Sequence, residues 1–151
     1  MEEKIHGKYT RIIGIMLVIA LFIFGSIYSA RRGNSMGAGL RFDADAFVFP
    51  ERDGTFTRVE YTEINGLEYI ERADYGTPDG GEVRDGVRLG KWKSESLGSY
   101  SACASERIRS AVRIKAGGIT YVINVESDST TRELYKTLQE VTASPETGIS
   151  P

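Results

Sequence analysis

Two hydrophobic patterns divide this chain. The first is an unbroken apolar run over residues 12–30, opening on Ile12 and closing on Ala30, with no charge in 19 residues and with Arg11 and Arg31 at its borders. At about 1.5 Å per residue a helix of this length reaches roughly 28 Å, close to the roughly 30 Å hydrocarbon core of a bilayer. The run therefore predicts one membrane span. The second pattern begins near residue 40, where apolar and polar residues alternate with period two in short stretches, as half-buried strands do.

The alternation predicts several strands in succession. Ala46-Phe47-Val48-Phe49 forms the apolar end of a strand over residues 40–50, and Arg52-Asp53-Gly54 is a turn signal. Residues 55–61 place Thr57, Val59 and Tyr61 on an inner face and Phe56, Arg58 and Glu60 on a wet one. Asn65-Gly66 suits a tight connection, followed by a strand over 67–71. Residues 73–88 form the longest loop, glycine-rich and expected to be mobile. Strands follow at 90–94, around Trp92, and at 99–104, around Tyr100 and Cys103. Trp92 is expected as a core aromatic and Cys103 as a small buried hydrophobe.

The clearest alternation is 107–115. It places Ile108, Val112 and Ile114 on one face and Arg107, Arg109, Arg113 and Lys115 on the other. Gly117-Gly118 is a hairpin turn, after which Ile119, Tyr121, Ile123 and Val125 share an inward face. Thr130-Thr131-Arg132-Glu133 fits a capping box, and Leu134, Leu138 and Val141 recur at helical spacing. The chain thus divides into an N-terminal tail (1–11), a span (12–30), a juxtamembrane linker (31–39), one β-rich domain closed by a helix (40–141) and a tail (142–151).

Cleavage of the apolar run as a signal peptide is disfavoured. Cutting after Ala30 leaves Tyr28 at the third position back, and cutting after Ser29 leaves Ile27 there, where small residues are required. Lys4, Lys8 and Arg11 before the span balance Arg31, Arg32 and Arg41 after it, so the side of the membrane stays open. Seventeen glycines against four prolines agree with many tight turns. A formal net charge of -2 argues against a nucleic-acid partner. With Cys103 the sole cysteine there is no intrachain disulfide and no thiolate zinc site.

Three apparent motifs lack the context their chemistry needs. Gly33-Asn34-Ser35-Met36-Gly37 matches G-x-S-x-G, but a nucleophile elbow requires a strand before it and a histidine base. Here the apolar run precedes it, and the only histidine, His6, lies before that run. Gly37-Ala38-Gly39 begins a dinucleotide fingerprint that Phe42 ends. Asp43, Asp45, Glu51 and Asp53 are acidic but do not follow a calcium-loop spacing. No cofactor and no catalytic set is expected.

Tyr61-Thr62-Glu63-Ile64, Gly90-x-Trp92 with Gly98-x-Tyr100, Tyr121-Val122-Ile123-Asn124-Val125 and Thr131-x-x-Leu134-Tyr135-x-x-Leu138 together resemble the bacterial pleckstrin-homology-like family over about residues 40–141. The resemblance implies an all-β domain with one C-terminal helix. Its two orthogonal antiparallel sheets would form a partly open barrel, in a family whose members are often joined to membrane helices. The lysine and arginine cluster of phosphoinositide-binding relatives is missing from the first hairpin, which offers only Arg52 and Arg58.

The expected function is a non-enzymatic, membrane-tethered module that contacts a protein partner or self-associates. Arg107, Arg109, Arg113 and Lys115 would be its contact stripe, with a solvated strand face as the plainer reading of the same residues. The alternative is a small ligand or anionic lipid headgroup bound by loops 51–54, 73–88 and 116–118, with Arg52, Arg84 and Arg88 as anion contacts. The mature membrane-bound protein is expected to retain residues 12–30. Mass spectrometry of its N-terminus checks this, and a start between residues 29 and 39 would show a removed signal peptide.

Overall fold

The computed structural model describes residues 38–143; the expected span at 12–30, most of the linker and most of the C-terminal tail lie outside the described residues. Among the described residues no helix is long and apolar enough to cross a membrane. The elements are β1 (Arg41–Phe42), β2 (Ala46–Pro50), β3 (Phe56–Glu60), β4 (Ile64–Ile70), β5 (Thr77–Pro78), β6 (Glu82–Arg84), β7 (Val87–Ser94), β8 (Gly98–Ser105), β9 (Ala111–Ala116), β10 (Ile119–Ile123) and α1 (Asp128–Ala143). They build a three-stranded sheet in the order β1-β2-β3 and a seven-stranded sheet in the order β4-β9-β10-β8-β7-β5, with β6 also on β7.

The main core lies between the two sheets. Leu40, Phe42, Phe47, Phe49 and Val59 from the small sheet meet Leu89, Cys103, Val112, Ile114, Tyr121 and Ile123 from the large one. Tyr121 is the centre of this contact: Phe47 packs edge-on to its ring at 5.6 Å and Phe49 lies at 4.9 Å. From α1, Leu134 and Leu138 are buried in the same core, while Tyr135 lies 5.9 Å from Tyr69 of β4. The mostly β, two-sheet domain with a C-terminal helix is therefore present.

The larger sheet is not purely antiparallel. β10 runs parallel to β8, with Tyr121 opposite Ser101 and Ile123 opposite Cys103, and antiparallel to β9 on its other side. Residues 106–110 carry the chain from β8 across the end of β10 to β9, and β10 then returns between them. Successive strands usually pair, so the alternation in the sequence could not show this order.

Asn124, at the end of β10, holds the crossing segment. Its Oδ1 accepts the Ser105 N–H at 2.7 Å. Its amide hydrogens are shared among the carbonyls of Ser105, Ile108 and Ser110 and the Tyr75 hydroxyl, at 3.1–3.5 Å. The side chain is fully buried, so without these partners its polar atoms would carry a full desolvation cost.

The expected mobile loop over 73–88 is instead built structure. It contains β5 and β6, and β7 starts at Val87. Asp85-Gly86, with φ of 52° and 77°, is the two-residue turn joining β6 to β7. The first part of the segment straps the outer face of the large sheet. There Tyr75 covers Ala102, Ala104, Ala111 and Val122 beside Trp92 and Tyr100, forming a second core. Small alanines let the strap lie close to the sheet. Gly76 is required by the same closeness, since a Cβ there would sit 2.1 Å from the Lys93 carbonyl, at a φ of 65°.

Four further expectations are corrected. Asn65-Gly66 is an irregularity within β4, where register shifts between Ile64 and Gly66; the turn is a single 3-10 turn at Tyr61–Glu63. Ile119 is 47% exposed, because it sits at the hairpin end of β10. The helix starts at Asp128, one turn before the expected capping box, because the Ser127 hydroxyl accepts the Thr130 N–H at 3.1 Å. Thr131 turns inward and bonds Val125 and Ser127. The helix also runs on to Ala143, two residues past the expected domain end at Val141.

Leu138→Ala is expected to cost on the order of 2–5 kcal/mol by removing a buried side chain. Asn124→Ala is expected to cost at least about 2 kcal/mol, because each buried group left unpaired costs about 1–3 kcal/mol. Urea unfolding of both, with exposed Ser129→Ala as reference, checks them; losses under about 0.5 kcal/mol would remove either residue from its assigned role.

Candidate ligand groove and the basic residues

An open groove of about 690 Å³ is lined by Glu51, Arg52, Asp53, Thr57, Gly80, Glu82, Arg84, Gly90 and Lys91. It is made where the β2–β3 turn meets β6 and β7. Two features bring these elements together. Arg52 donates to the Gly80 carbonyl at 2.9 Å and lies 3.5 Å from Glu82. Arg84 donates to Glu82 on its own strand and to the Arg52 carbonyl at 3.3 Å. Glycine permits the close fit: a Cβ on Gly90 would meet Gly81 at 3.1 Å and the Arg52 side chain at 3.2 Å, at a φ of 81°.

The groove lies between two sheet edges. β3 ends the small sheet, and β6 pairs with β7 alone among the described strands. Its charges are divided. Glu82 sits between Arg52 and Arg84 and compensates one of the two. Lys91 forms no ion pair among the described residues, within the set that does. The acids of the β2–β3 turn are held by hydroxyls: Glu51 accepts from Thr57 at 2.7 Å, and Asp53 accepts from the Thr55 hydroxyl at 2.6 Å and its N–H at 2.9 Å. These bonds from Thr55 lower the Asp53 carboxyl below its ordinary range. All of these groups are partly or wholly exposed, so water screens their interactions strongly.

Of the three loops expected to converge, 51–54 and part of 73–88 do so, and 116–118 does not line the groove. Arg52 and Arg84 share it, whereas Arg88 does not. The Arg88 guanidinium stacks 4.1 Å over the Tyr75 ring, lies 5.7 Å from the Trp92 ring and reaches Glu106 at 3.6 Å. It fixes the strap to β7, and a cation on an aromatic face is attracted by the ring quadrupole. Burial pushes the Tyr75 hydroxyl up to about 12.

The four-cation stripe does not form as one strand face. β9 begins at Ala111, which is fully buried, so Arg107 and Arg109 belong to the crossing segment before the strand. Arg113 faces Glu68 across β4 and forms an ion pair with it. Lys115 remains exposed on β9, opposite Gly66 and Thr120. Period two was legible there, but the break at Ser110 was not. The Ser110 N–H and hydroxyl bond Asp128 of α1 at 2.8 and 2.6 Å, which ends the ladder and ties the crossing to the helix.

The acidic residues expected to be solvated are used in part. Arg58 bridges Asp43 at 2.9 Å and Asp45 at 2.5 Å, closing the β1–β2 connection, and these carboxylates raise its pKa. Among the described residues no group of three or more His, Cys, Asp or Glu could hold a metal ion. Cys103 is fully buried, and burial raises its thiol pKa well above the ordinary value. No family model, no curated protein and no solved structure matches the chain.

The bonds from Ser110 depress the Asp128 carboxyl below its ordinary value of 3.8. A depressed folded-state pKa contributes stability above the unfolded-state value and loses it as pH falls through the folded one. Asp128→Ala is therefore expected to lower stability at neutral pH and to flatten the acid limb below about pH 4. Urea midpoints across that range check it; parallel curves for variant and parent would separate Asp128 from the acid response.

Proposed function

We propose that the chain is a membrane-tethered, non-enzymatic binding module that takes a small anionic ligand or an anionic lipid headgroup in the groove between β3 and β6. The observation that carries this reading is the convergence of Arg52, Arg84 and Lys91 on one open groove, with a single carboxylate, Glu82, shared by the two arginines. Guanidinium groups present several donors in fixed directions, which suits an oxyanion. Glu51 and Asp53 form the opposing acidic lip and would exclude ligands whose charge extends over the turn. The tether is the apolar run at 12–30.

The pleckstrin-homology-like reading is part of this proposal. The two sheets and the C-terminal helix support it at the level of element order. The parallel β8–β10 pair departs from the all-antiparallel arrangement that the resemblance implies. Contact with a protein partner is the second reading. It is favoured by Arg107 and Arg109, which are exposed and form no ion pair among the described residues.

Titration with inorganic phosphate, followed by amide chemical shifts, is expected to move Gly80, Gly90 and Lys91 first. Arg84→Glu should weaken this response by tenfold or more, while Arg109→Glu leaves it unchanged. Vesicles of phosphatidylglycerol against phosphatidylcholine then distinguish a headgroup from a free anion. Shifts centred on residues 107–109 would move the site to the crossing segment and favour the protein-partner reading.

A further inference from the structure

We infer that the edge of the domain carrying Phe56 rests in the interfacial layer of the bilayer, an inference that rests on the tether of the proposed function. Phe56 is the most exposed large hydrophobic residue among the described residues, at 56%. It opens β3 directly after the turn and shares a strand face with Arg58 and Glu60, where period two calls for a polar residue. Its ring lies against Gly39: a Cβ at that glycine would stand 2.7 Å from the ring.

Gly39 is where the polypeptide arrives from the N-terminal segment. Residues 31–37 separate the end of the apolar run from the first described residue, Ala38. From Ala30 to Gly39 the chain advances nine residues, which reach at most about 32 Å at about 3.6 Å each. The edge holding Gly39 and Phe56 is thus tied to within that distance of the membrane surface, whatever the orientation of the rest of the domain. An exposed aromatic ring within that reach can insert its apolar face into the interfacial layer. Charge selects the kind of surface. The adjacent turn carries Glu51, Arg52 and Asp53, one cation against two carboxylates, so this contact is apolar insertion and does not need anionic lipid. It shares the β2–β3 turn with the groove but differs from it in the lipid it requires.

The test uses the full chain in phosphatidylcholine bilayers, with Phe56→Cys carrying an environment-sensitive nitrobenzoxadiazole label. Cys103 is fully buried and should take little label in the parent protein. Ile119→Cys, at an exposed position of the β9–β10 hairpin, is the comparison, and Thr55→Cys is a second site beside Phe56. The expected result is blue-shifted emission at 55 and 56, with quenching by nitroxide-labelled lipid at least threefold stronger than at 119. Equal or absent quenching in protein that resists alkaline carbonate extraction overturns the inference and leaves the tether standing. Release of the protein by carbonate overturns the tether itself. An emission shift that follows protein concentration rather than lipid proximity assigns Phe56 to a second copy of the chain and also overturns the inference.

Discussion

The buried amide of Asn124 is the interaction on which the domain's topology depends. Placing β10 between β8 and β9 requires the chain to cross the end of a buried strand, and the crossing residues cannot join the sheet ladder. The backbone groups of the buried residues at the crossing, Ser105, Ile108 and Ser110, still need partners. One side chain at the strand end supplies them, accepting from Ser105 and donating toward Ser105, Ile108 and Ser110. The same amide donates to the Tyr75 hydroxyl, so the strap across the outer face is tied to the crossing. Asp128 extends the tie to α1 through Ser110. Crossing, strap and helix are thus joined by a few buried or half-buried polar bonds, and loss of the amide would be felt at all three.

Much of the fold was legible because local signals were strong. Val59 and Tyr61 face inward as the alternation demands, and Arg58 and Glu60 face out. Gly117 and Gly118 make their turn with φ of 56° and 78°. Trp92 and Cys103 are buried. The failures have one cause, which is that partners distant in sequence decide. Asn124 sits in an apolar run and gives no local hint of its hydrogen bonds. Tyr75 occurs in a stretch without period, yet it covers alanines about 30 residues later in β8. Asp85-Gly86 was a readable hairpin signal, hidden only because β6 before it is three residues long and largely polar.

The candidate site was legible in residue type and only partly in place. Arg52 and Arg84 are far apart in the chain and come together because the β2–β3 turn and β6 face one another. Arg88, the second residue of β7, differs because β7 alternates: its side chain is drawn to the aromatic strap and not to the groove. Lys91 precedes Trp92 on β7, and pointing opposite to the buried Trp92 is what carries it to the groove. Periodicity located Arg113 correctly on an outer face and could not show that Glu68 waits there on β4.

Closure of the other surfaces explains why the groove is where binding is expected. The inner face of the large sheet is filled by the small sheet and by Leu134 and Leu138 of α1. Its outer face is covered by the strap, which small side chains at 102, 104 and 111 allow to lie flat. The β2–β3 turn and β6 are left to face each other across a gap spanned by arginine contacts rather than by a ladder. A ladder would be apolar on its buried side and would hold its position through many backbone bonds. Side-chain bridges between exposed groups are individually weak and exchange with solvent. Under the proposed function a ligand anion would take the place of Glu82 at Arg52 or Arg84, and the backbone bonds of both sheets would stay in place.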